Sequence, residues 1–165
     1  MLQVGNVGLL HNEQVSHFAL WCLITGPLLI STDLNTITNA SLAILTHEEM
    51  IAVNQDPSGI QGVRVSDYAP TGGEVWAKNL SSGGGSGGGG GGGSGGGSIA
   101  VIFLNRGSTA MDITAAWSTL RLQPTTSVSV RDIWNRREVA TNVVGTWTAR
   151  AVQPHSVVVV KLTPT

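Results

Sequence analysis

Between Ser81 and Ser98 the chain reads "SSGGGSGGGGGGGSGGGS", 18 consecutive residues of glycine and serine alone. Such a run carries no side chain to bury and loses the most backbone entropy on ordering, so it belongs to neither helix nor strand. Its flanks decide what it connects. "EVWAKNL" before it and "SIAVIFLNRG" after it both have strand composition, rich in Val, Ile, Phe and Trp. A phosphate-cradling loop would need Gly-Lys-Ser/Thr and a following helix, and neither is present. A linker between domains is a poor fit, because both flanks suit one sheet. The run is therefore expected to be a lengthened hairpin loop. Closing it in place of a four-residue turn costs only ~1.3 kcal/mol by the logarithmic loop law. A coil of this length spans ~23 Å on average, which does not prevent its ends from meeting.

The remaining residues are rich in Val, Ile, Leu and Trp, which is core-forming material. A formal net charge of −1 gives no electrostatic reason to expect nucleic acid or an anionic membrane as partner. Cys22 is the single cysteine, so no intrachain disulfide forms, and its apolar surroundings predict inert core packing. The longest apolar stretch, Phe18 to Ile30, is broken by Gly26-Pro27 and falls short of the ~20 residues a membrane span needs. The start of the chain has no basic segment before an apolar core, so it does not read as a signal peptide.

Two patterns succeed each other. From Glu13 to Ile24, Val15, Phe18, Ala19, Cys22 and Leu23 recur at helical spacing, and Gly26-Pro27 ends that helix. "PLLIS" follows as a short apolar run suited to a buried parallel strand. "NASLAILTHEEMIAVNQD" then supports one or two short helices ending before Pro57, with a strand stub expected at Met1 to Val4. This alternation implies an α/β sheet or barrel. Beyond Pro57 the segments "EVWAKNL", "SIAVIFLNRG", "AMDITAAW", "SVSVRDIW", "TWTARAV" and "SVVVVKL" predict an antiparallel sandwich or barrel. The expected division is residues 1–58 and 62–165, the second part interrupted by the Gly/Ser loop 81–98.

The blocks "MLQVGNVGLLHNEQVSHFALWCLITGPLLISTDL" and "LAILTHEEMIAVNQDPSGIQG" resemble the C-terminal part of the catalytic barrel of family 27 glycoside hydrolases, the α-galactosidases or melibiases. "EVWAKNL", "VIFLNRG", "VSVRDIW" and "VQPHSVVVVKL" resemble the strands of that family's C-terminal β-sandwich. The chain departs from the family at Leu10, where a capping Thr or Ser is usual, at Thr32 in place of Asn, and at Gly26 in place of Ala. The resemblance implies the last helix–strand–helix of a (β/α)₈ TIM barrel followed by an all-β antiparallel sandwich. It also implies that Met1 corresponds to an internal methionine after a Trp-Asn-Asp-Pro-Asp block, with the first six barrel strands and most of the seventh missing.

Family members hydrolyse terminal non-reducing α-D-galactose with two carboxylates, retaining configuration and using no metal or organic cofactor. Their partners are galactose-containing oligosaccharides or glycoconjugates, and full-length relatives are commonly secreted, lysosomal or vacuolar. None of this chain's acids matches the nucleophile or the acid/base, so the catalytic residues expected here are none and the chain alone is expected to be inactive. Met1 carries over as a residue lining the sugar site. The same fold also serves α-N-acetylgalactosaminidase and β-arabinopyranosidase specificities, and a non-catalytic carbohydrate-associated sandwich is the competing reading.

Other polar residues have simpler expectations. Asp33 is expected to tie down the loop after "PLLIS". His47-Glu48-Glu49-Met50 begins like a zinc-protease helix but lacks the second histidine, so no metal site is expected. His17 is expected to pack or face solvent, and His155 to sit in a turn. Arg131, Arg136 and Arg137 around Trp134 read as a solvated strand face with one core tryptophan. Asn39-Ala40-Ser41 and Asn79-Leu80-Ser81 fit the N-glycosylation acceptor pattern.

Overall fold

The structure, a computed structural model, describes residues 1–66, 72–81 and 97–165. The first third is helical: α1 spans His11–Leu23, α2 spans Asn39–Leu45 and α3 spans Glu48–Asn54. Two of the three helices start where a side chain can meet their free N–H groups. Thr38 Oγ1 accepts from Ser41 N at the head of α2, and His47 Nδ1 accepts from Met50 N at the head of α3. At α1 the cap is Leu10, whose side chain can accept nothing. Only the reverse half of the motif survives, with Glu13 Oε2 accepting from Leu10 N at 2.8 Å.

The strands are β1 (Val63–Arg64), β2 (Gly73–Asn79), β3 (Ile99–Asn105), β4 (Met111–Ala116), β5 (Ser127–Asp132), β6 (Arg137–Val144), β7 (Thr146–Val152) and β8 (Val157–Pro164). Six of them form one antiparallel sheet in the order β1-β2-β3-β8-β5-β6, and β4 pairs with β7 in a second. The glycine-rich run lies between β2 and β3, which are antiparallel neighbours with Asn79 opposite Ile99. Leu80 N donates to Ser98 O at 2.8 Å, so the flanks of the run pair as a hairpin does. Residues 82–96, the body of the expected loop, lie outside the described residues.

The large sheet is covered on both faces, and this explains why β3 is buried along its whole length. Val101, Phe103, Val128, Val130 and Val160 face β4 and β7 and pack with Ile113, Ala115, Trp117 and Ala149. Ala100, Ile102, Leu104 and Val159 face the other way, into Phe18, Cys22, Leu23, Met50 and Val53 of the helices. The sheet is thus the middle of three layers. An unbroken apolar strand is what a doubly covered position requires.

Two sequence expectations need adjustment. "PLLIS" forms no continuous strand: Leu2 and Ile30 make a single parallel bridge, Leu2 N donates to Leu29 O, and Leu29 and Ile30 are 59% and 46% exposed. A parallel strand needs neighbours on both edges to be buried, and among the described residues only the 1–4 stub pairs with it. "RDIWNRRE" is likewise no single strand face. It comprises the end of β5, the turn 133–136 and the start of β6.

Candidate functional site

The end of the Leu2–Ile30 bridge is where a barrel of this order would carry its active face. Backbone and amide groups build that rim. Asn6 Nδ2 donates to Ser31 Oγ (2.8 Å) and to Gln3 Oε1 (3.0 Å), and Ser31 Oγ donates to Leu2 O. Gln14 ties the rim to the helices: its Oε1 accepts from Gly5 N (3.1 Å) and Ser41 Oγ (2.9 Å), while its Nε2 donates to Leu9 O. Gly5 has a φ of 85°, and a methyl there would stand 2.9 Å from Thr32 Oγ1, so only glycine fits beside that threonine.

The expected site residues sit around this frame. Met1 is 62% exposed. Asp33 Oδ1 accepts from Asn35 N (2.9 Å) and Asn35 Nδ2 (3.0 Å), so its carboxylate holds the loop. His17 Nε2 accepts from Gln3 N at 3.1 Å, and burial lowers its pKa. Asn39 opens α2 and Asn79 closes β2, both exposed, and their partner residues Ser41 and Ser81 are hydrogen-bonded to Gln14 and Asp56. His155 lies in the turn before β8, at a φ of 55°. Among the described residues no three His, Cys, Asp or Glu side chains gather in a way that could hold a metal. Cys22 is fully buried, and burial pushes its thiol up to about 12.

A second polar assembly lies where the helices meet the sheet. Arg131 donates to both oxygens of Glu49, at 2.7 and 2.9 Å. That hydrogen bonding lowers the Glu49 carboxyl and raises the Arg131 guanidinium further. The His47 ring stacks on Trp134 with centroids 4.6 Å apart, and its Nε2 bonds to Trp134 O at 3.0 Å. Trp134 is therefore half-buried against a histidine, and its neighbouring arginines reach across to α3. At the other end of α3, Lys78 is 1% exposed, and its Nζ donates to Val53 O (2.5 Å) and Thr25 Oγ1 (2.9 Å). Between these two points lies a groove of about 240 Å³ lined by Glu49, Asp56, Ser81, Ser98, Ile133 and Lys161.

Sequence reasoning passed over Lys78, and weighed His47 only as a metal ligand and not as a helix cap stacked on Trp134. Lys78 had a signal, a lysine at the same strand parity as Trp76 and next to Ala77 in a short strand-like segment. His47 had one too, standing directly before the acidic first turn of a helix.

Comparison with known proteins adds the family context. Residues 71–162 match the family described as "Alpha galactosidase C-terminal beta sandwich domain", and residues 1–56 match the one described as "Alpha galactosidase A". A "Probable alpha-galactosidase" from Dictyostelium discoideum is 34% identical over 165 residues, covering all of this chain and 39% of the relative. An "Alpha-galactosidase" from Coffea arabica is 40% identical over 134 residues, covering 81% of this chain and 31% of the relative. The crystal structure of α-galactosidase I from Mortierella vinacea superposes with a TM-score of 0.82 at 28% identity, over 98% of this chain and 38% of that one. The chain spans well under half the length of each of these three.

Proposed function

Since the chain belongs to the α-galactosidase (melibiase) family, we propose that it is the C-terminal portion of a retaining glycosidase acting on terminal α-D-galactose. Its fold is the end of a (β/α)₈ barrel followed by an antiparallel β-sandwich. The observation that carries the reading is the parallel Leu2–Ile30 bridge, which leaves Leu29, Ile30 and Leu34 exposed. Large apolar side chains on an unpaired parallel edge suit further barrel strands packing beside them.

Retaining hydrolysis places two carboxyl groups about 5–5.5 Å apart, one attacking the anomeric carbon and the other protonating the leaving oxygen. Asp33 is already bound to Asn35, so it is a poor candidate for either role. The family resemblance implies that both catalytic carboxylates come from outside this chain, which contributes the last rim of the sugar site, with Met1 lining it. The division is 1–58 for the barrel end and 62–165 for the sandwich, with the Gly/Ser run 81–98 falling in sequence between two neighbouring strands. Substrates are galactose-containing oligosaccharides or glycoconjugates. Asn39 and Asn79 are glycan acceptors if the protein passes through a secretory route.

The test is a graft of this chain in place of the matching 38% of the Mortierella vinacea enzyme. The chimaera should hydrolyse an aryl α-galactoside and release α-galactose first, read by proton NMR. A folded chimaera that releases the β-anomer first, or turns nothing over, rejects the proposal.

A further inference from the structure

Three cations share one row of the large sheet on its helix-facing side: Arg131 opposite Lys161, Lys161 opposite Ala100, and Ala100 opposite Lys78. Helix α3 meets this row at both ends. Its acidic first turn takes Arg131 through Glu49, and its last turn offers Val53 O to Lys78. The second contact is the unusual one. A lysine ammonium is rarely fully buried, and among the described residues its hydrogen-bond partners are a carbonyl and a hydroxyl, with no carboxylate. Burial lowers its pKa, while Asp56 and Cys22 act in the opposite direction.

What the ammonium holds is a strained turn. Thr25 follows α1 with a φ of 58°, a left-handed conformation that a β-branched residue seldom adopts. Its hydroxyl accepts from Lys78 and donates to Ile60 O at 3.1 Å, so it joins the sandwich, the helical layer and the connection between them. Asn54 Nδ2 donates to the next carbonyl, Gly26 O, at 2.9 Å. Gly26 itself has no room for a side chain, since a methyl would stand 2.8 Å from Trp21 Cε3. Directly after this turn the chain runs through Leu28, Leu29 and Ile30 to Ser31, whose hydroxyl is part of the rim. A displacement of the turn is therefore passed along only a few extended residues, each advancing about 3.3 Å.

We propose that Lys78 is a positioning residue: its buried ammonium, projecting from the sandwich into the helical layer, fixes the Thr25–Pro27 turn and with it the register of Leu2 against Leu29 and Ile30. This gives the sandwich a stated task toward the barrel end, namely holding its last strand in register. The inference rests on the geometry of this chain and stands apart from the galactosidase reading.

Residue-resolved amide exchange on the whole chain tests it. K78M and T25V should each speed exchange of the Leu2, Gly26 and Leu29 amides by about tenfold or more. The Val101 and Val160 amides at the centre of the sheet should stay within about twofold. T25S keeps the hydroxyl and should match the unsubstituted chain. If K78M fails to fold, K78Q takes its place, since its shorter side chain loses both Val53 O and Thr25 Oγ1 while T25V also removes the bond to Ile60 O. Uniform acceleration across all amides, no local acceleration, or T25S behaving like T25V would each overturn the proposal.

Discussion

Ile102 sits in β3 with no exposed surface and points into the helical layer, against residues from α1 and α3. Replacing it with alanine removes three buried carbons, about 2.4 kcal/mol at ~0.8 kcal/mol each. The cavity adds to this, because β3 is held between two layers and cannot collapse into the gap. Within the observed range for such truncations, ~2–5 kcal/mol, the expected cost is about 3–4 kcal/mol. For a chain of this length that is a fall in Tm of roughly 6–16 °C. The shared sheet also sets how the chain should melt. The two cores lie on opposite faces of the same strands, so the helical far-UV signal and the near-UV signal of Trp117 inside the sandwich should fall together. Two separate transitions in I102A, with the Trp117 signal unmoved, would refute the claim that the layers form one cooperative unit.

Leu10→Thr should restore the missing acceptor at the head of α1 and raise stability by about 0.5–1 kcal/mol, read from urea melts. The Glu49 carboxyl is held below its ordinary value by the hydrogen bonds from Arg131, so its contribution is present above the unfolded pKa and is lost as pH falls through the lower, folded value. E49Q should therefore flatten the acid limb of the stability–pH curve, and an unchanged limb would count against the Glu49–Arg131 pair. Cys22 should resist alkylation at neutral pH until denaturant is added, followed by intact mass; rapid labelling of the native chain would contradict its burial. A methyl at Gly62 would stand 2.7 Å from both Leu23 Cγ and Leu23 O, so Gly62→Ala should lower Tm by several degrees.

Much of the fold was legible because its signals are local. The spacing of Phe18, Ala19, Cys22 and Leu23 placed α1 within two residues of its true ends, and the apolar run of β3 survives as a strand because both its faces are covered. β6 was missed for physical reasons: six of its eight residues are exposed and none is fully buried, it lies at the sheet edge, and Asn142 turns its backbone to a φ of 56°. Edge strands with such irregularities lose the period-2 pattern that makes a strand readable. "PLLIS" was misjudged in the opposite direction, since composition reports what a segment would bury with neighbours on both edges. Asp33 and His155 were readable as loop residues because Asx turns and post-proline turns are short-range. The joins between the layers were not. His47 on Trp134, and Lys78 on Thr25 and Val53, connect residues 25 to 87 positions apart, which periodicity cannot see.

The central claim is that this chain carries the rim and the support of a galactosidase site while both reacting carboxylates lie elsewhere. The direct measurement is release of aryl alcohol from an aryl α-galactoside by the purified 165-residue chain. The account predicts a rate no different from buffer. Turnover by the chain alone that is lost when Glu13, Asp33, Glu48, Glu49 and Asp56 are replaced by their amides would contradict it.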